Sequence, residues 1–181
     1  MVMNTAAKTR ARFAVSDVEG RNASVRRAMQ ALLAADLRPD DLRYLLDMTL
    51  WRYTEFDKNR YKFAIRYRSS AVLAAEPVEV NHEHVVERRW VLDQILAHRD
   101  RLDEILPLVV GCLVSTIEHS RLRSVSGFGW DRYLAAQIDV IDTATMEPCD
   151  LCAMAAAQRT IAARIGLDVR QALEDANSKS Q

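Results

Sequence analysis

From Arg60 to Arg68 the hydropathy period shortens to two: Tyr61, Phe63, Ile65 and Tyr67 alternate with Arg60, Lys62, Arg66 and Arg68. Successive side chains of a strand point to opposite faces, so this run predicts an extended strand with one aromatic and one basic face. A chain containing it is not a pure helical bundle. A second extended run follows, because Pro77 disfavours helix at its entry. It covers Val78–His84 and puts Val78, Val80, His82 and His84 on one side, with Glu79, Asn81 and Glu83 on the other. Ile138–Ile141 reads as a third strand.

Helical periods fill most of the remainder. One helix is expected from Asn22 or Ser24 to just before Pro39, and a second from Asp40 through Tyr53. Val85–Asp103 and Leu106–Arg121 read as two more, Trp130–Ala136 as a short one, and Cys149–Ile165 as a long one opened by Pro148. A last helix is expected over about Asp168–Ala176. The predicted fold is therefore α+β, a mainly helical single domain with a small sheet of about three strands. The globular body is expected over residues 15–176, between a loosely ordered segment 1–14 and a polar tail 177–181.

Composition supports a folded domain: 49% of the 181 residues are hydrophobic and 28% charged, with five glycines and four prolines. That balance can bury one sizeable core. The formal net charge is +0, so attraction for a polyanion has to come from a local patch. Residues 1–12 lack an apolar stretch of the kind a secretory signal needs. The most apolar run, Ile105–Ile117, is short for a bilayer span and is interrupted by Pro107 and Gly111. These features predict a cytoplasmic protein with no membrane partner, whose cysteines Cys112, Cys149 and Cys152 are reduced thiols or metal ligands.

Four constellations could carry chemistry. On the basic strand, Arg60, Lys62, Arg66 and Arg68 could neutralise phosphates while Tyr67 and its neighbours offer stacking surfaces, a combination suited to RNA or DNA. In His82-Glu83-His84 the alternate histidines point the same way and could converge on a divalent metal, zinc or magnesium, with His119 or Glu118 as a further ligand. Alternatively, His84 acts as a general base, with Glu83 holding a metal or orienting the ring. Cys149-x-x-Cys152 at a helix start could be half of a zinc site or a redox pair, its thiolates favoured by the helix dipole. Trp130, Arg132 and Tyr133 form an aromatic and arginine cluster of the kind found in protein-partner hot spots. For each, ordinary packing or solvation of the same side chains is the competing explanation.

The order His82-Glu83-His84-Val85-Val86-x-Arg88, then Cys112-Leu113-Val114-Ser115 with Glu118-His119-x-Arg121-Leu122, then Trp130-x-Arg132-Tyr133 resembles a group of small uncharacterised bacterial or phage-associated proteins. An acidic residue before a histidine, followed by Glu118-His119, is also similar to the two ends of an HNH-type nuclease motif. What that resemblance implies is a metal-dependent phosphodiesterase in which Glu83 and His119 hold the metal, His84 activates water and the basic strand positions the phosphate. The alternative expectation is a non-catalytic interaction or regulatory module, in a phage-defence or toxin-immunity setting, with a protein partner.

Overall fold

The computed structural model describes residues 17–54, 65–74, 79–167 and 169. The expected lead-in 1–14, the final helix beyond residue 169, the tail, and Arg60 and Lys62 of the basic run lie outside these residues.

The chain opens with α1, Val18–Ala34, whose first turn is capped by the Asp17 side chain accepting from the Gly20 amide at 3.1 Å. The short link 35–38 then leads into α2, Pro39–Thr54. Proline suits a helix's first turn, where its missing N–H has no intrahelical acceptor, and Asp40 and Asp41 favour the positive end of the helix dipole. The helix thus begins at Pro39, ahead of the expected cap. Met29 of α1 and Leu42, Leu46 and Leu50 of α2 are buried together with Trp90 and Ile95, the main helical core.

Strand β1, Tyr67–Ser69, is followed by the short helix α3, Ser70–Ala74. Next come β2, Val80–His84, and α4, Arg88–Ala97. A 3-10 turn, the short helix α5, Leu102–Ile105, and a second 3-10 turn lead to β3, Gly111–Ser115. Helix α6, Thr116–Ser124, follows it directly, then α7, Asp131–Ala135; β4, Val140–Asp142; β5, Glu147–Pro148; and α8, Leu151–Arg164. Eight helices and a mixed sheet confirm the α+β class among the described residues, with five strands in place of about three.

The sheet order is β2-β3-β1-β4-β5, with β1 and β3 parallel and the other neighbours antiparallel. Residues Gly111–Ser115, expected as helix, form the strand between β2 and β1, and all five are buried. A strand covered on both faces has no polar face, so its sequence lacks the two-residue alternation that marks half-exposed strands. Cys112 and Val114 pack with Trp130 and Tyr133 on one face, while Leu113 packs with Ile65 and Val72 on the other. β2 is left at the sheet edge, and this places the candidate site.

Candidate functional site

Because β2 alternates, its motif residues His82, Glu83 and His84 divide between the two sides of the sheet edge. His82 and His84 turn toward the end of α2. Their rings stack, with centroids 4.6 Å apart and planes 14° from parallel. The Trp51 ring lies 4.6 Å from His82 and 5.3 Å from His84, and the Arg88 guanidinium covers Trp51 at 4.9 Å while its Nε reaches Asp47 Oδ1 at 2.9 Å.

The Thr54 hydroxyl joins the pair, 3.0 Å from His82 Nε2 and 3.3 Å from His84 Nε2. It also donates to the Trp51 carbonyl at 3.1 Å. A hydroxyl has one proton and two lone pairs, so with Trp51 taking the proton both imidazoles donate Nε2–H to the same oxygen. Gly111 makes room: a Cβ there would lie 2.8 Å from His82 Nε2. Burial, then the neighbouring His82, then the Arg88 charge, push the His84 pKa down to about 2. His84 is therefore a neutral ring whose Nε2 is already occupied. For either ring to ligate a metal through Nε2, the Thr54 hydroxyl would have to be displaced.

Glu83 points the other way, toward Arg132 and His119. Its Oε1 accepts from Arg132 Nη2 at 2.8 Å, and its Oε2 lies 2.9 Å from His119 Nδ1. The latter contact is close but off the N–H line, since Nδ1 has no aligned acceptor. The Glu83 side chain is 12% exposed and that of Arg132 8%, so the carboxylate and guanidinium form a nearly buried pair. Such a pair is costly to break, because either charge alone would be stranded away from water. Ser115 caps α6 and forms a capping box with Glu118, which fixes the helix's first turn and with it His119.

Glu118 itself faces inward. Its Oε2 accepts from the Ser115 amide and hydroxyl, each at 2.9 Å, and from the Ser69 hydroxyl at 2.5 Å. It fastens the ends of β3 and β1 to α6 and is taken up by structure.

Both sides of the β2 edge open into one groove of about 670 Å³, lined by Trp51, the three motif residues His82, Glu83 and His84, the imidazole of His119, and the cationic Arg88, Arg89, Arg123 and Arg132. Glu87 adds a second carboxylate to Glu83. Arg89 and Arg123 are exposed and form no ion pair among the described residues. Arg89 follows Arg88 of the histidine motif directly, and this Arg-Arg pair is the local signal for the groove. Trp51 and Thr54 had no local signal, because only the packing of α2 on β2 brings them there.

Of the basic run, Arg68 does not occupy the exposed face expected of it. Arg68 is 1% exposed, because β1 lies inside the sheet; its Nε donates to the Ile65 carbonyl at 3.3 Å. Burial lowers its pKa to about 10, so it remains charged but cannot meet a phosphate at the surface. Arg66 forms a two-pronged pair with Asp142, at 2.8 and 2.6 Å. Tyr67 is partly buried edge-on against Trp130, with centroids 5.6 Å apart.

Cys149 and Cys152 lie away from His82 and His84. The Cys149 amide bonds to the Val140 carbonyl in β4, three strand spacings from β2, or roughly 14 Å. Cys149 and Cys152 are free thiols, and burial raises the Cys149 pKa to about 11, opposite to what a reactive thiolate needs. Among the described residues no group of three or more His, Cys, Asp or Glu side chains is placed to hold a metal. Trp130, Arg132 and Tyr133 are 1%, 7% and 0% exposed, so they form core and site wall and offer no surface to a partner. No helix among the described residues is long and apolar enough to cross a membrane.

Compared with protein-family profiles, with curated proteins and with solved structures, the chain has no significant match in any of the three.

Proposed function

We propose that this protein binds nucleic acid in the groove along the β2 edge. The observation that carries the reading is the charge of the lining, four arginines against two glutamates, in a chain whose net charge is +0. Concentrated positive charge in a concave site focuses the field on an anion, even where the whole molecule is neutral. Arg89 and Arg123, exposed and without ion partners among the described residues, are suited to phosphate contact, while Arg88 is held over Trp51 and Arg132 is committed to Glu83. Phosphate contacts of this kind position a strand and release counterions.

In this reading the binding surface moves from the β1 run to the β2 edge. Metal-dependent phosphodiester cleavage is the weaker proposal for the same groove, because Glu83 is engaged by Arg132 through one oxygen and lies against His119 Nδ1 through the other. His84 is poorly suited to activate water there, because its neutral ring is engaged by Thr54. Binding of a fluorescent single-stranded RNA and the matching DNA, followed by anisotropy over a salt series, tests the reading. A steep loss of affinity with salt supports it, and no binding at low salt contradicts it.

A further inference from the structure

We propose that His119 is the proton-transferring residue of an RNA-cleaving centre in this groove, with Glu83 as its positioning residue. The inference rests on the nucleic-acid reading above and adds the substrate class and the reacting group.

Three elements converge to hold the imidazole. The capped first turn of α6 sets its backbone. Glu83 of β2 sets its Nδ1 side at 2.9 Å. Arg132 of α7 holds the other carboxylate oxygen at 2.8 Å, so Glu83 cannot swing away without stranding a buried guanidinium. Nδ1 is shut off from solvent, yet the side chain as a whole is 32% exposed and lines the groove. Nε2 is thus the nitrogen available on the open side. A carboxylate on one imidazole nitrogen fixes the tautomer and stabilises the cation formed when the other nitrogen takes a proton. The imperfect alignment of the Nδ1 contact is the ordinary condition of such pairs before substrate binds.

Arg123 lies four residues after His119 in α6, on the same helix face and one turn further along. A phosphate held by its exposed guanidinium lies beside the imidazole, with Arg89 lining the same groove. One base and fixed cations are modest machinery, and the substrate that asks least of them carries its own nucleophile. In RNA the 2′-hydroxyl sits next to the phosphodiester, so attack is intramolecular and needs no captured water.

His119 Nε2 takes the 2′-hydroxyl proton as the 2′-oxygen bonds to phosphorus. The bond from phosphorus to the 5′-oxygen breaks, and the departing 5′-oxygen takes a proton from water. The imidazolium then returns its proton to solvent. The products are a 2′,3′-cyclic phosphate and a 5′-hydroxyl, with no oxidant, reductant or further reactant consumed. The groove arginines stabilise the charge that builds on the phosphoryl oxygens.

The test uses the full chain with a fluorescent single-stranded RNA and the same sequence as DNA, in excess EDTA. The expected result is RNA cut to 2′,3′-cyclic phosphate ends, with the DNA intact. His119→Asn should lower the single-turnover rate about a hundredfold or more while leaving anisotropy-measured binding nearly unchanged. Glu83→Gln should move the acidic limb of the pH–rate profile to lower pH, a shift that mere loosening of the fold does not produce. RNA bound but uncut, cutting only after metal is restored, or a His119→Asn protein as fast as wild type would each overturn the assignment and leave the groove as a binding site. Absence of RNA binding would overturn the groove reading as well.

Discussion

The hydroxyl of Thr54 sits against two stacked imidazoles, 3.0 Å from Nε2 of His82 and 3.3 Å from Nε2 of His84. Thr54 and His82 are both buried, so removing the oxygen strands polar groups away from water. Thr54→Val is expected to destabilise the fold by about 1–3 kcal/mol, the usual cost of an unsatisfied buried partner. Thr54→Ser should recover most of that loss. Urea denaturation of the three proteins measures both; equal midpoints would show that the hydroxyl does not hold the pair.

The same environment fixes a pH dependence. The His84 pKa in the folded chain is about 2, below the ordinary 6.5, so between those values the unfolded chain binds more protons at this position. Stability from burying the neutral ring is complete above about pH 6.5 and is lost progressively as pH falls toward the folded value. Nuclear magnetic resonance of the imidazoles should find His84 still neutral at about pH 5, where an ordinary histidine is mostly protonated. A midpoint near 6.5 for His84 would contradict the packed arrangement.

Much of this architecture was legible in local pattern, and the failures have physical causes. The alternation of Val80–His84 divided His82 and His84 from Glu83 before any fold was known, and the sheet keeps that division. β3 carries a helical signal in sequence because a strand buried on both faces loses its alternation. The burial of Arg68 is invisible in sequence because alternation distinguishes two faces without saying whether the strand lies at an edge or inside a sheet. The Glu83–His119 contact spans 36 residues and arises only once β2 pairs with β3 and α6 follows directly. Arg132 belongs by sequence to an aromatic and arginine cluster, and in the fold it is buried and paired with Glu83.

Glu118 illustrates how a motif residue can be absorbed by structure. Its buried carboxylate accepts from Ser69 and from the Ser115 amide and hydroxyl. Glu118→Ala should cost about 2–4 kcal/mol, combining the lost cap with stranded donors. Thermal or urea unfolding gives the value. A change under about 0.5 kcal/mol, as for an ordinary surface position, would count against the network.

The thiols should react unequally. Cys152 is exposed, Cys112 is buried with its pKa pushed well up by desolvation, and burial raises Cys149 to about 11. At about pH 8 an aromatic disulfide reagent should label Cys152 quickly and the other two slowly, with their rates rising on unfolding. Rapid labelling of Cys149 in the native protein would revive the redox pair.

The most direct measurement of the central claim compares two sets of charge removals in RNA binding: Arg89→Ala/Arg123→Ala in the β2-edge groove, and Arg66→Ala at β1. Each lost phosphate contact should lower the salt dependence by about one unit of slope. The double variant is expected to bind at least about tenfold more weakly with a slope reduced by about two, while Arg66→Ala, whose side chain is already paired with Asp142, stays close to wild type. The reverse pattern, with affinity lost at Arg66 and kept in the double variant, would place the nucleic acid on β1 and contradict the account.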